Sequence, residues 1–236
     1  MRINVYVDGL NLYKGALSGK PSLKWLDLVS LSKKILQSSS LGNIYFFTSP
    51  MKIRFKNDRS PERQSTYLRV LRQQGIKVVS GKTVKYEKWL RHTESQRQKF
   101  VQPVMPRFLG LSSLAINRSW GAASPDIPKS KMLLYSEKAS DVNLSSYLLR
   151  DSLLGYCDEA LVISGDSDLF LPIAFSVEMG VKVSVAVPNK VQLSSRLKNI
   201  ASNFDYLNFD ILKNSQLPRP FKSPRGSLIF PPKDWN

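Results

Sequence analysis

Histidine and cysteine are almost missing from this chain of 236 residues, which has one of each. Cys157 has no second cysteine to bridge to, and with His92 as the single histidine no zinc cluster can be assembled. A histidine general base would have to be His92, which lies in a basic stretch far along the chain from the acidic motifs; we read it as solvated or RNA-contacting. Cys157 reads as buried packing. Long apolar runs are lacking too. Nothing approaches the ~20 apolar residues of a membrane span. The apolar run in Met1–Asp8 is too short for a secretory signal and ends in an acid. A soluble cytoplasmic protein with no membrane partner is expected. Acids are the third shortage: 18 Asp and Glu against 35 Lys and Arg leave a net charge of +17. At 42% apolar residues the chain is too hydrophobic to be wholly disordered. Its length suits one large domain or two small ones, at about 100–200 residues per domain.

The positive excess points to a polyanionic partner, and its distribution sharpens that. Residues 51–110 carry 15 basic and 4 acidic groups, net +11, whereas residues 111–236 carry 14 and 12, net +2. Seven of the 18 acids fall within residues 137–168. A basic region to hold phosphate and an acidic cluster to hold metal are what a metal-dependent nuclease requires.

Apolar spacing predicts strands at Ile3–Val7, Asn43–Phe47, Ile76–Ser80, Met132–Tyr135, Ala160–Ile163 and Val181–Val187. Helices are predicted at about Leu10–Leu17, Trp25–Leu36, Pro61–Gln74, Ser140–Leu154, Leu169–Met179 and Val191–Ala201, three of them stopped by Gly75, Gly155 and Gly180. The alternation argues for an α/β fold with a central, mostly parallel sheet covered on both faces. We read residues 1–213 as one domain. A basic insertion at about 82–130 is expected to have mixed or irregular structure, with room for short strands, and carries Tyr86, Trp89, Phe100, Phe108 and Trp120. Those rings either stack on unpaired bases or build a small local core, the latter favoured. Residues 214–236 form a proline-rich tail packed on the domain.

Ligands of such sheets bind beyond the carboxyl ends of the strands. Asp8 ends the first predicted strand, Asp166 and Asp168 follow the Ala160–Ile163 strand, and Asp141 begins a helix. Each has an ordinary alternative as a turn or cap residue; together they form a candidate site for a hard cation, which takes oxygen ligands. Asn11 either orients a ligand or caps a helix. Ser164 and Gly165 either donate to phosphate or make a tight turn. A phosphatase of the haloacid-dehalogenase type needs Asp-x-Asp after its first strand; here Asp8-Gly9-Leu10-Asn11 lacks the second acid.

Several segments together resemble one family. Asp8-Gly9-Leu10-Asn11, Glu137-Lys138-Ala139-Ser140-Asp141-Val142-Asn143-Leu144, Ser164-Gly165-Asp166-Ser167-Asp168-Leu169 and Gly180-Val181-Lys182-Val183 are similar, in order and spacing, to motifs of NYN domains, the LabA-like group of PIN-like nucleases. Ser215-Gln216-Leu217-Pro218 and Pro232 to Trp235 resemble the family's tail, so the likeness spans nearly the whole chain. It implies a PIN-like three-layer α/β/α sandwich and a ribonuclease, of the endoribonuclease type, that uses one or two Mg²⁺ or Mn²⁺ ions. Carried over by position, Asp8, Asp141, Asp166 and Asp168 are the metal-binding and catalytic acids, with Asn11 beside them and Glu137, Ser164 and Gly165 in support. The chain departs from the family at Ala139, where glycine is usual, and in lacking paired cysteines in the insertion.

RNA is the expected partner, with DNA as the other polynucleotide. Lys52, Arg54, Lys56, Arg59, Arg63, Lys85, Lys88 and Arg91 are the candidate phosphate contacts. The alternative is a nucleic-acid-binding module with the same basic face and no turnover.

Overall fold

A parallel sheet hides both faces behind helices, so its central strands should be apolar throughout. The computed structural model describes residues 2–38, 40–91, 129–188 and 195–235. In it β1 (Ile3–Asp8) and β2 (Ile44–Thr48) are buried at every residue. β3 (Lys77–Ser80) follows, then a separate pair, β4 (Lys82–Arg91) and β5 (Lys129–Lys138), then β6 (Glu159–Ile163), β7 (Lys182–Val187) and β8 (Asn203–Tyr206). Six of these form one sheet in the order 3-2-1-6-7-8, with every pairing parallel.

Alternate residues of the strands feed two cores. Val5 and Val7 of β1 pack with helices α1 (Gly9–Leu12), α2 (Leu28–Leu36) and α3 (Ser60–Gln73) through Leu12, Leu28, Leu31, Tyr67 and Leu71. Tyr6 faces the other way, toward α4 (Ser140–Leu153), α5 (Phe170–Glu178) and α6 (Ser195–Ile200) through Leu144, Leu148, Ile173 and Leu197. The architecture is therefore an α/β three-layer sandwich around a parallel sheet.

Local chemistry moves some boundaries from the sequence expectation. Asp27 accepts hydrogen bonds from Val29 N (2.9 Å) and Ser30 N (3.0 Å), so α2 starts at Leu28. Trp25, which shares the helical spacing, lies outside the helix. Its ring meets those of Tyr67 and Trp235, and its Nε1 donates to Pro218 O at 3.1 Å. The chain after α7 (Phe209–Lys213) lies against this region, with Asp27 N donating to Ser215 O and Leu217 N to Trp25 O, both at 2.8 Å. The short strands β9 (Phe221–Lys222) and β10 (Leu228–Ile229) place Phe221 and Ile229 in the same core.

Val84–Ser136 form a second compact unit. β4 opens the insertion as a ten-residue strand, longer than the short strands expected there, and pairs with the equally long β5. The strand expected at Met132–Tyr135 belongs to this pair and not to the main sheet. Tyr86 and Trp89 are exposed on β4. Phe100, Phe108, Trp120 and His92 lie outside the described residues, as does the start of the helix expected at Val191–Ala201.

Backbone constraints act at the starts of α1 and α4. Gly9 passes so close to β2 that a Cβ would stand 2.6 Å from Phe46 Cζ and 2.8 Å from Phe47 O. Ala139, directly before α4, has φ +73°, the left-handed conformation that costs an L-residue roughly 1–2 kcal/mol. Glycine adopts this conformation without that cost. Glycine's greater freedom in the unfolded chain offsets part of the relief. Ala139→Gly is expected to stabilise the protein by about 0.5–1 kcal/mol, read as a higher urea midpoint at unchanged m. A lower midpoint would contradict this account of the helix start.

Candidate active site

The strand order reverses direction between β1 and β6, so the chain turns to opposite faces of the sheet after these two strands, the place where sheets of this kind bind ligands. Parallel pairing in the register Val7↔Ile163 sets Asp8 and Ser164 side by side at the carboxyl edge. Asp8 is only 4% exposed. Its Oδ1 accepts from Asn11 N at 2.9 Å, which caps α1, and its Oδ2 accepts from Ser164 Oγ at 3.0 Å. Ser164 Oγ accepts in turn from Asp166 N at 3.2 Å. Asn11 Oδ1 accepts from Gly165 N at 3.0 Å, so Asn11 ties the two strand ends together. The Ser164 hydroxyl and the Gly165 N–H, candidate phosphate donors by sequence, are thus engaged inside the protein. They position the acids.

Asp166 is half-buried and caps the single 3-10 turn Ser167–Leu169, accepting from Asp168 N at 3.0 Å. Asp168 is exposed. Asp141 sits in the first turn of α4 and is exposed at the same rim. Ser49 and Gly81, which belong to none of the motifs, help to anchor the start of α4. Ser140 Oγ donates to Glu137 and lies 3.3 Å from Ser49 Oγ. Gly81 fits this knot so tightly that a Cβ would collide with Lys138 O and stand 2.6 Å from Ser49 Oγ. Small serines and glycines have no distinctive spacing, so only the fold reveals them.

Burial pushes the Asp8 carboxyl from an ordinary 3.8 up to about 6. The Asn11 N–H and the Ser164 hydroxyl hold it down in part, and the charges of Asp141 and Glu137 raise it further. Asp141, exposed by its surface yet partly shielded at the helix start, is raised as well, first by that partial desolvation and then by Asp166, Glu137 and Asp168. These five carboxylates therefore share one field. Among the described residues, no three acidic, histidine or cysteine side chains stand close enough to hold an ion as they are. A small hard cation does not need three: it takes one or two carboxylates and completes its shell with water and phosphate oxygens. An all-oxygen donor set around a buried carboxylate whose like-charged neighbours disfavour ionisation fits such a cation.

The basic residues divide. β2 pairs in parallel with β1, Asp8 opposite Phe47, so the loop after Thr48 leaves from the same edge as Asp8. It carries Lys52, Arg54 and Lys56, all exposed and in no salt bridge among the described residues. Arg59 instead pairs with Glu62 (3.1 Å), and Arg63 with Asp234 (2.7 Å). Lys85, Lys88 and Arg91 lie on β4, in the second unit. Cys157 is buried, 3.7 Å from the Tyr6 hydroxyl. No described helix is long and apolar enough to cross a membrane.

Over its whole length the chain is 25% identical to 6-hydroxy-3-succinoylpyridine 3-monooxygenase of Pseudomonas putida, of which it spans 75%. That relative is an enzyme. A crystal structure of a Vibrio parahaemolyticus protein of unknown function has the same fold, with a TM-score of 0.50 and 18% identity over 89% of this chain and 94% of that one. No protein-family profile matches the sequence.

The raised Asp8 carboxyl has a consequence for stability. The folded chain binds this proton more tightly than the unfolded one, so the stabilisation is full below about pH 4 and is lost as pH rises through about 6. Asp8→Asn does not titrate. In a chelator, urea unfolding should show the variant gaining on the wild type by about 1–3 kcal/mol between roughly pH 4 and pH 7. A difference that stays flat with pH would mean that Asp8 ionises freely.

Proposed function

We propose that the protein is a metal-dependent nuclease that hydrolyses phosphodiester bonds, with RNA as its substrate. The observation that carries this reading is the buried Asp8 at the strand-order reversal, oriented by Asn11 and Ser164, with the charges of Asp141 and Glu137 acting on it and those of Asp166 and Asp168 acting on Asp141, beside a loop whose cations make no salt bridge among the described residues. Asp8, with Asp141, Asp166 and Asp168, would hold one or two Mg²⁺ or Mn²⁺ ions. Such an ion supplies neutralisation of charge at phosphorus and a lowered pKa for an attacking water.

The protein's own groups do the rest. Ser164 and Asn11 fix the Asp8 carboxylate in place, so no reorganisation is needed when charge develops. Half-buried Asp166 and exposed Asp168 and Asp141 form the rim that a phosphate approaches. The strand is drawn in and held by Lys52, Arg54 and Lys56.

The Pseudomonas relative favours a second reading, oxygenation of an aromatic ring. That chemistry requires a redox cofactor. The first turn here, Asp8-Gly9-Leu10-Asn11, has one glycine where a dinucleotide-binding turn has three, and a buried carboxylate where a pyrophosphate would approach. A bound flavin in the purified protein, seen as visible absorbance, would favour this reading over the first.

Labelled RNA and DNA incubated with Mg²⁺, Mn²⁺ or chelator provide the test. Metal-dependent cleavage of RNA is expected, with Asp166→Asn reducing the rate by about 10²-fold or more. Robust activity in a clean Asp166→Asn preparation would overturn the assignment. Tight RNA binding with no product under any metal would leave the non-catalytic binding module.

A further inference from the structure

The loop between β2 and α3 contains a feature that neither the fold nor the acid cluster requires. Phe55 is 65% exposed and Ile53 67% exposed, and they alternate with Lys52, Arg54 and Lys56. An exposed ring on a loose loop would call for no explanation. This loop is clamped. Phe55 O accepts from Asp58 N at 3.1 Å, closing a four-residue turn whose third residue, Asn57, takes φ +69°. The Asp58 carboxylate accepts from Arg54 N (3.1 Å) and Ser60 N (2.9 Å), so the backbone is held on both sides of Phe55. The stem is held by Gln64, whose Oε1 accepts from Met51 N (2.8 Å) and whose Nε2 donates to Ser49 O (3.0 Å). An aromatic ring is thus presented to solvent from a preorganised backbone, with a cation on either side in sequence, at the edge of the sheet where Asp8 lies.

We propose that Lys52–Asn57 captures a single polynucleotide strand: the Phe55 ring stacks on one unpaired base while Lys52, Arg54 and Lys56 hold the phosphates that flank it. The inference rests on the phosphodiesterase reading of the acid cluster, which is what makes the polyanion a polynucleotide. In a duplex both π-faces of each base are already stacked on neighbours, so the platform admits only unpaired nucleotides and makes the loop a specificity element. Base–aromatic stacking of this kind is sequence-tolerant, because every base has a π-face. An anionic membrane is the other surface that such a loop would suit. A membrane would lie against the exposed Asp141 and Asp168 across a broad anionic face, whereas a single strand meets those acids with one phosphate at a time.

The test uses the full chain in chelator and fluorescence anisotropy with a labelled RNA, single-stranded or annealed to its complement. Phe55→Ala should weaken single-strand binding about 5- to 150-fold, leaving duplex affinity and the salt dependence unchanged. Phe55→Trp should retain binding. A 2-aminopurine probe in the strand should be quenched by the wild type and by Phe55→Trp but not by Phe55→Ala. Replacing Lys52 and Lys56 by Ala should flatten the salt slope by about 2 for either RNA. Wild-type single-strand affinity in Phe55→Ala, equal losses for single strand and duplex, or Phe55-dependent capture of phosphatidylserine vesicles in place of RNA would each overturn the proposal. Cleavage assays separate it from the reading it rests on. If Asp166→Asn still cuts RNA while Phe55→Ala loses single-strand preference, the platform stands and the acid assignment falls. If Asp166→Asn is dead and Phe55→Ala binds normally, the platform falls.

Discussion

β1 pairs in parallel with β2 on one side and β6 on the other, and the second of these pairings spans the point where the strand order reverses. Its register decides what stands at the carboxyl edge. With Val7 opposite Ile163, Asp8 and Ser164 become neighbours and their side chains bond at 3.0 Å. A slip of one residue would turn Tyr6 into the layer of Val5 and Val7 and carry Asp8 away from Ser164. The two cores resist that slip, because each accepts only its own alternate set of side chains. Packing on both faces of the sheet thus holds a single carboxylate in place.

The central strand meets a second buried carboxylate near its other end, in a different electrostatic setting. Asp151 is fully buried and accepts from Asn4 Nδ2 (3.1 Å) and the Tyr6 hydroxyl (2.9 Å), while the Arg150 guanidinium supplies the opposite charge. Its electrostatic needs are met within the chain. The hydrogen-bond donors that reach Asp8, from Asn11 and Ser164, are neutral, and the charges that raise its pKa are negative. Burying a carboxylate without a cation is costly. The chain meets that cost at both ends of one strand, with a described ion pair at only one. Under the proposed nuclease reading, a cation from outside would meet that cost at the Asp8 end.

Much of the fold and of the acid cluster is legible in the sequence because both depend on patterns along the chain. Largely apolar runs mark β1, β2 and β6, and Asp8 at the end of the first and Asp166 shortly after the last point to one edge of the sheet. The features that escape depend on tertiary context. β8 is a four-residue strand at the edge of the sheet, with no apolar run to mark it. The apolar spacing of Trp25 matches a helix, yet Asp27 caps the chain two residues later and frees the ring for Tyr67 and Trp235. Arg59 and Arg63 belong to the same basic run as Lys52, but Glu62 and Asp234 neutralise them, the latter from the far end of the chain. Ser164 and Gly165 have the composition of a phosphate loop; only the pairing of β1 with β6 shows their donors turned inward.

The knot of Gly81, Ser49, Lys138 and Ser140 joins the point where the chain leaves the main sheet for β4 to the point where it returns from β5. Everything between those points is a closed detour whose two ends are already held together. The entropy of closing such a detour rises only with the logarithm of its length. Extending, shortening or rewriting Val84–Ser136 therefore costs the sandwich little, provided Gly81 keeps its lack of a side chain. The sandwich thus constrains the sequence of the second unit less than it constrains Gly81.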